Sequence, residues 1–568
     1  MNEVTLADIG KDLSSVMKDV DVFPLVKYYI EQLQIDQILS AAMPTPPESR
    51  VSHEQTLCIM IANIVIAKHP LYKIENWVSK YFDGRTIDKS EESIQYNDDR
   101  CGRVLDKLFL ADRNTLLSQI SAKAIEVHQL ELSQINNDST SVSFAGAYNG
   151  DTDDNVVNLT YGFSKDHRPD CKQVVFGLST TSDGHVPISY ELFDGNRTDD
   201  TTHIGTWDSL RNFIGNTDFV YIADSKLCTM TNLAHIHSNG GKFITILPKN
   251  RTEVTEFHKQ LQAGLEVSWQ EEYKVPSSRK KGEFITYKLY ENGVTSEGYR
   301  IIWIHSDTKA QQDQATRNRR IDKALLLLIE LKPKLNKRQL KTMAQIQDEV
   351  KKINRHGFFS VVITEHKTVH KKQVSPGKPA ANTEYKEVEE ITYTLSFEKD
   401  QNAITMDSLT DGIFPLINNT TETKTQVLQR YKTQPFLEKR FQTSKSVLNI
   451  APIFLKKPER IEATMFLYFI ALMIVSLIER NIRKSLKETP TELKILPGNR
   501  NATSPTWSNI KEFFSDLYLS FIKYKQQVAA PKLCGLSQLH QKILKLLKVP
   551  IEVYTELRDN WWKFNLAG

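Results

Sequence analysis

Two short apolar runs in the first half of the chain constrain its fold more than any other feature. The runs are FVYIA at 219–223 and FITIL at 243–247, and both are rich in β-branched and aromatic residues, as fully buried strands are. Between them, 227–238 has a helical pattern that ends at Gly240 and Gly241. A strand, a helix and a second strand in this order make a parallel βαβ unit. The sequence therefore predicts an α/β fold.

Asp224 directly follows the first of these runs. Open α/β sheets bind ligands at the carboxyl ends of their strands, and carboxylate oxygens suit hard divalent cations. We therefore predict that Asp224 is a metal ligand. The alternative is that Asp224 only caps the helix that follows it.

Further along the chain, four polar residues are spaced so that they would fall near one face of an α-helix. They are Tyr431, Gln434, Glu438 and Lys445. This mixture suits a divalent cation held beside a phosphate backbone, but ordinary solvated helix faces carry the same residue types. Because an interior proline costs about 3 kcal/mol, Pro435 predicts either a kink or a helix that begins near Thr433 and leaves Tyr431 outside.

The spacing of these four residues resembles the Tyr-x2-Arg-x3-Glu-x6-Lys signature of the DDE transposases of bacterial insertion sequences, in the branch with a β-rich insertion before the glutamate. Gln434 departs from that signature, because it is uncharged where the family has arginine. Upstream segments resemble the first half of the family's catalytic core in the same order: Asp138-Ser139-Thr140, Tyr161-Gly162, KDHRPDCKQVVFGL at 165–178, DGHVPISYELFDGN at 183–196, and Asp199.

The resemblance implies a ribonuclease-H-like core in which Asp138, Asp224 and Glu438 are the catalytic residues and hold Mg²⁺ or Mn²⁺. It also implies that four residues in and around the glutamate helix contact DNA: Tyr431, Gln434, Arg440 and Lys445. In a two-metal site of this kind, the ions activate the attacking oxygen and stabilise the leaving one.

The activity implied by the resemblance is cut-and-paste DNA transposition. The protein would bind terminal inverted repeats, cleave DNA strands with a metal ion, and transfer them to target DNA. It would act as a homodimer in a synaptic complex, in the bacterial cytoplasm with the nucleoid and without a membrane. Three alternatives remain: a non-transposing nuclease on the same fold, a catalytically inactive DNA-binding protein, and a structural protein whose carboxylates are only surface charge.

More than two hundred residues separate Asp224 from Glu438, so we predict an inserted domain between them. Within it, Asn292-Gly293 predicts a hairpin turn, 279–281 is one of several basic clusters, and Trp269 or Trp303 could stack on a flipped base or be buried. We predict five divisions of the chain. The first is a helical N-terminal domain for terminal-repeat binding or dimer contacts at 1–125, and the first part of the core follows at 126–250. A β-rich insertion with basic helices lies at 251–403, the second part of the core with the glutamate helix at 404–485, and a linker with C-terminal helices at 486–568.

Composition argues against several other classes of protein. The five cysteines are scattered and form no CxxC pair, so neither a zinc site nor a disulfide framework is indicated. The net charge of +4 is only mildly basic, so DNA binding would depend on local clusters of charge. The apolar run at 465–478 is shorter than the ~20 residues that span a bilayer, which predicts a buried helix.

Overall fold

The structure is a computed structural model that describes residues 13–49, 51–81, 96–144, 146, 148, 156–276, 282–337, 340–374, 376–379, 382–448, 450, 455–524, 527–528 and 532–557. The chain forms two compact units. Unit 1 comprises the residues up to Thr245 and from Gln429 onward, and unit 2 runs from Ile246 to Leu428. Both units contain helices and strands, so the chain is mixed α/β. The basic cluster at 279–281 and Trp561 and Trp562 of the tail lie outside the described residues.

The strands are numbered in chain order: β1 Leu13–Asp19, β2 Gln134–Phe144, β3 Lys172–Thr181, β4 Pro187–Asp194, β5 Val220–Ile222, β6 Lys242–Ile246, β7 Glu271–Pro276, β8 Phe284–Val294, β9 Arg300–Ser306, β10 Phe359–Gln373, β11 Tyr385–Lys399, β12 Ile413–Asn418, β13 Tyr518–Tyr524, β14 Gln527–Val528 and β15 Lys532–Cys534.

The α-helices are Phe23–Gln32, Ile35–Ala42, His53–Ile66, Ile74–Val78, Asp98–Leu110, Arg113–His128, His203–Ile214, Met230–Ser238, Thr252–Gln262, Asp307–Leu331, Met343–Ile353, Gln401–Ser408, Lys424–Tyr431, Gln434–Gln442, Pro458–Glu488, Trp507–Phe514, Gln538–Leu547 and Glu552–Thr555.

The main sheet of unit 1 has the strand order β4-β3-β2-β5-β6. Strands β2, β3 and β4 form an antiparallel meander, whereas β5 lies parallel to β2 and to β6. The predicted βαβ unit is therefore present as β5, helix Met230–Ser238 and β6. In the described segment 156–161, Thr160 forms an isolated antiparallel bridge to Gln173.

A second, small sheet of unit 1 joins the two ends of the chain. Strand β1 pairs antiparallel with β13, which also pairs with β14 and β15. The N- and C-terminal regions, which were predicted to be helical, therefore contain strands as well as helices. Strands β1 and β13 lie about 500 residues apart in the sequence, so local periodicity could not reveal their pairing.

The helix Pro458–Glu488 forms the centre of unit 1. It has 31 residues and a mean hydropathy of 2.2 over its most apolar window, of which 94% is buried. By length and composition alone such a helix could cross a membrane, as could the bent pair His53–Ile66 and Leu71–Val78 if it were one span. Because its apolar residues pack against other elements on all sides, the prediction of a buried helix at 465–478 is confirmed.

Unit 2 contains the antiparallel strand order β12-β9-β8-β7 and the separate hairpin of β10 and β11. Strand β12 pairs with β9 along its whole length and belongs to unit 2. Unit 2 runs to Leu428, so it contains more residues than the insertion predicted at 251–403. Residues of helices Asp307–Leu331 and Met343–Ile353 and of the hairpin base share one apolar core. Trp303 is 2% exposed, and its ring centroid lies 3.7 Å from that of Phe257. Of the two alternatives for Trp303, the structure therefore shows the buried side chain.

The predicted hairpin is present as β8 and β9, but its turn does not lie at Asn292-Gly293. Strand β8 continues through these residues to Val294, and its pairing with β9 shifts register between Glu291 and Val294. Gly293 has a φ of +83°, which is characteristic of a bulge. The chain reverses later, where the Thr295 amide donates a 2.8 Å hydrogen bond to the Tyr299 carbonyl.

Candidate active site

Two neighbouring parallel strands place Asp138 and Asp224 at the same position along the strand direction. The last paired residues of β2 and β5 are Asn136 and Ile222, and each aspartate lies two positions beyond its own paired residue. Since side chains alternate between the faces of a sheet, both aspartates fall on the face of their preceding paired residues. The parallel register therefore brings together two carboxylates that are 86 positions apart in the sequence.

Each aspartate also makes a local backbone contact. Asp138 Oδ1 accepts a 2.8 Å hydrogen bond from the Ser139 amide. Asp224 Oδ1 accepts one of 2.9 Å from the Lys226 amide and so caps the short 3₁₀ turn Ser225–Leu227. The helix Met230–Ser238 is capped by Thr229 and not by Asp224, and the turn contact leaves the second Asp224 carboxylate oxygen available for another role.

The helix Gln434–Gln442 carries Glu438 and packs on the same face of β2. The Thr433 hydroxyl oxygen accepts hydrogen bonds from Gln134 Nε2 at 2.6 Å and Asn136 Nδ2 at 2.8 Å. These two strand residues alternate with the same period as Asp138, so they share its face. Glu438 follows one turn into the helix and is exposed.

Gln434 fastens this helix to the strand. Its side chain is 7% exposed, accepts from Asn136 Nδ2 at 3.1 Å and donates to the Asn137 carbonyl at 2.9 Å. An uncharged amide matches both a donor and an acceptor in this buried position, where the resemblance would place an arginine. Gln434 therefore positions the glutamate helix, and a DNA contact would require both of these hydrogen bonds to break.

We expect Gln434→Leu to lower the free energy of unfolding by about 1–3 kcal/mol, because the Asn136 amide and the Asn137 carbonyl would lose buried partners. Gln442→Leu, in the last turn of the same helix and exposed, serves as the control and should change stability little. Denaturant unfolding of both variants measures the difference. Equal stability of the two variants would contradict a fastening role for Gln434.

The four residues of the proposed signature do not share one helical face. Tyr431 ends the helix Lys424–Tyr431, Gln434 and Glu438 belong to the next helix, and Lys445 lies in the π-helical turn Thr443–Val447. Pro435 occupies the first turn of the second helix, as the alternative of a helix beginning near Thr433 predicts. The break before Pro435 is the physical reason why the face expected from regular helical spacing does not form.

The side chain of Tyr431 lies within the electrostatic field of all three acids. Burial raises the pKa of the Tyr431 phenol above its usual value, and the carboxylates of Asp224, Asp138 and Glu438 raise it further. A phenol with a raised pKa keeps its proton at neutral pH. The structure thus brings the three predicted carboxylates and the predicted tyrosine into one neighbourhood.

Burial raises the pKa of Asp138 to about 7, and the carboxylates of Asp224 and Asp199 add to the shift. Lys165 and the Ser139 amide oppose it. A neighbouring positive charge would relieve this repulsion, and carboxylate oxygens are the ligands that Mg²⁺ and Mn²⁺ prefer. The chemistry of the donor set therefore fits a hard divalent cation.

The side chains are not arranged as a finished metal site. Within the described ranges, no three His, Cys, Asp or Glu side chains are grouped closely enough to hold an ion. A shared ion would require at least one carboxylate to change its rotamer. Glu438 is exposed on its helix and can do so without leaving a packed position.

The raised pKa of Asp138 predicts a pH dependence of stability. The native state holds this proton up to pH about 7, whereas an unfolded aspartate releases it near its ordinary value of 3.8. Stability of the metal-free protein should therefore fall as the pH rises between these two values, by up to about 1.4 kcal/mol per pH unit, and be constant above them. Thermal unfolding of Asp138→Asn between pH 5 and 8 should lack this fall; an identical pH profile in the variant would assign the titration to another group.

Sequence reasoning missed two charged residues that lie beside Asp138. Lys165 Nζ lies 3.0 Å from Asp199 Oδ2 and 3.8 Å from Asp138 Oδ1, and the Ser139 hydroxyl donates to Asp199 Oδ1 at 2.5 Å. Burial opposes the ionisation of Asp199, but the Ser139 hydroxyl and Lys165 outweigh it and leave its pKa lowered. Both residues lie in segments that carry the family resemblance, and that was the signal available for them.

Lys445 and Arg440 have different environments although both were predicted to bind DNA. Lys445 Nζ forms a 2.7 Å ion pair with Asp166 Oδ1 near the surface. Arg440 is 4% exposed, and its guanidinium donates to Glu479 Oε2, the Gly184 carbonyl and the His185 carbonyl. A DNA contact by Arg440 would require these internal bonds to break, whereas Lys445 needs only to exchange one carboxylate for a phosphate.

Comparison with known proteins finds a family model and a solved structure that are similar to this chain. A family model described as Domain of unknown function (DUF4277) matches residues 15–122. No curated protein sequence matches the chain. The cryo-EM structure of the piggyBac transposase synaptic complex with hairpin DNA is similar with a TM-score of 0.36 and 8% sequence identity, over 88% of this chain and 82% of that chain. A TM-score of this size does not establish a common fold, and the matched family has no assigned activity.

Proposed function

We propose that this chain is a DDE-type DNA transposase that cleaves and joins DNA strands at the ends of an insertion sequence. The observation that supports the proposal is that the carboxylates of Asp138, Asp224 and Glu438 all raise the pKa of Tyr431, although Asp138 and Asp224 lie more than 200 residues before Tyr431 in the sequence. A meander of three strands extended by two parallel strands supports a ribonuclease-H-like core for unit 1.

Asp138, Asp224 and Glu438 would hold the divalent cations of this reaction. When bound, Mg²⁺ or Mn²⁺ would activate an attacking oxygen and stabilise the leaving oxygen of a phosphodiester. Asp138 would contribute most to the dependence on pH, because its carboxyl must lose a proton that burial retains. Asp224 follows a strand and Glu438 lies on a helix, so their backbones would hold both residues near the site without help from the ligand.

Two residues would bind the DNA phosphate in this proposal. The Tyr431 phenol stays protonated and would donate a hydrogen bond to a phosphate oxygen. The Lys445 ammonium would add a positive charge from the π-helical turn that follows the glutamate helix. Gln434 and Arg440 would act on the reaction only through the position of that helix.

The proposal is tested with the DNA that flanks the coding region, because an insertion sequence carries its terminal repeats there. Labelled duplexes of these flanks should be bound, nicked in Mg²⁺, and joined through the freed 3′ end to a supercoiled plasmid. Nicking without joining would instead identify a nuclease, and binding without nicking an inactive DNA-binding protein. No binding to either flank would reject the proposal.

A further inference from the structure

Lys165 and Asp166 are consecutive residues whose side chains form ion pairs with opposite sides of the proposed site. The Lys165 ammonium lies against the carboxylates of Asp138 and Asp199. The Asp166 carboxylate lies 2.7 Å from Lys445 Nζ. The Lys165 ammonium therefore faces Asp138, a proposed metal ligand. The Asp166 carboxylate faces Lys445, the proposed phosphate-binding lysine.

The loop that carries the dipeptide is tied to strand β2. The Lys165 amide donates to Ser141 Oγ at 2.9 Å, and Lys165 Nζ donates to the Ser139 carbonyl at 2.7 Å. Ser164 is 9% exposed, and its hydroxyl oxygen accepts from the Asp166 amide at 3.3 Å and the Arg168 amide at 3.2 Å. These hydrogen bonds fix the loop backbone, so the two ion pairs are set by the fold.

The charges of this dipeptide match those of the expected ligands. A divalent cation would bring positive charge to Asp138, which Lys165 supplies in this structure. A DNA phosphate would bring negative charge to Lys445, which Asp166 supplies. Since a lysine and a metal ion repel each other, as do an aspartate and a phosphate, the ligands must move both side chains away before they can bind closely.

We propose that Lys165-Asp166 is an autoinhibitory contact, an internal substitute for cation and phosphate that keeps the site closed until DNA and a divalent cation displace it together. The inference rests on the proposed function, because it takes its two ligands from there. Opening the site would break ion pairs between side chains that are only partly buried: the exposed fractions are 35% for Lys165, 37% for Asp166 and 26% for Lys445. Such pairs contribute little energy each, so the contact can be exchanged without unfolding the loop.

The phosphate side of the contact is tested with Asp166→Asn and flanking DNA in EDTA, where no cleavage occurs. The variant should bind DNA roughly 1.5- to 5-fold more tightly than wild type, because Lys445 no longer needs to leave a partner. The matched control is Asp170→Asn, which removes the same charge from the same loop, where Asp170 pairs with Arg168 instead. In a Lys445→Ala background, Asp166→Asn should gain no more affinity than Asp170→Asn does.

The cation side is tested with Lys165→Gln and Mn²⁺ alone, by isothermal titration calorimetry without DNA. Because the variant loses a competing positive charge, its affinity for Mn²⁺ should rise roughly 2- to 5-fold. Lys172→Gln is the control, since Lys172 Nζ donates to the Tyr148 carbonyl and not to a carboxylate.

The outcomes separate this inference from the proposed function. Wild-type protein that binds neither flanking DNA nor Mn²⁺ would reject both. Wild-type protein that binds both ligands, with Asp166→Asn equal to Asp170→Asn, would reject only the autoinhibitory contact. Weaker Mn²⁺ binding by Lys165→Gln would also reject it, because Lys165 would then support the metal site; thermal unfolding of each variant verifies that the fold is retained.

Discussion

Asp138→Asn should bind flanking DNA at least as tightly as wild type and nick it on the order of 10³-fold more slowly or worse. The asparagine keeps the size of the side chain and an oxygen that can accept from the Ser139 amide, so β2 should remain intact. It removes the negative charge that a divalent cation needs. Loss of several kcal/mol of stabilisation of the transition state corresponds to a rate change of this size.

The control for this prediction lies near the same sheet. Asp218 precedes β5 and Asp224 follows it, so Asp218→Asn removes a carboxylate from the opposite end of one strand. Asp218 is exposed, and its removal should leave nicking unchanged. The nicking rates of wild type and both variants are measured under single-turnover conditions in Mg²⁺. If Asp138→Asn nicked DNA as fast as wild type, Asp138 would not be a metal ligand.

Arg440→Met should lower the free energy of unfolding of unit 1 by about 3–5 kcal/mol. Arg440 and Glu479 form an ion pair of 2.7 Å with side chains that are 5% and 7% exposed. The substitution leaves the Glu479 carboxylate buried without its main positively charged partner. The Trp507 amide and Arg483 would still contact it and stabilise part of its charge. Replacing both partners, as Arg440→Met with Glu479→Leu, should restore much of the loss because no charge then remains buried.

This experiment decides what Arg440 does. Lys439→Met is the control, since Lys439 is the exposed neighbour on the same helix and should change stability little. Chemical denaturation gives the stability, and DNA binding at several salt concentrations gives the number of phosphate contacts. A stable Arg440→Met protein with weaker DNA binding and a flatter salt dependence would support the DNA contact that the family resemblance implies.

The parts of the fold that could be predicted from the sequence are those with a local pattern. The strands β5 and β6 and the buried helix around 465–478 follow from apolar runs and their boundaries. The pairing of β1 with β13 was not predictable, because the two strands lie about 500 residues apart in the sequence. Asn292-Gly293 misled because the same dipeptide serves a bulge as well as a turn.

The candidate site was predictable to a similar extent. The family resemblance pointed to Asp138, Asp224 and Glu438, and the order of β2 and β5 supplies the physical reason why the first two lie together. The roles of Gln434 and Arg440 could not be read from spacing, since only tertiary contacts show that both side chains point into the protein. Lys165 and Asp199 were missed for the same reason.

The pairing of β1 with β13 has a consequence during protein synthesis. The first strand emerges from the ribosome about 500 residues before its partner, which at about 5–20 residues per second corresponds to roughly 25–100 seconds. Over that time the nascent chain carries an open strand edge, and Glu438 is added only after Ile246–Leu428 is complete. A ribosome that stops before Glu438 therefore releases a product that lacks both β13 and the last of the three proposed metal-binding acids.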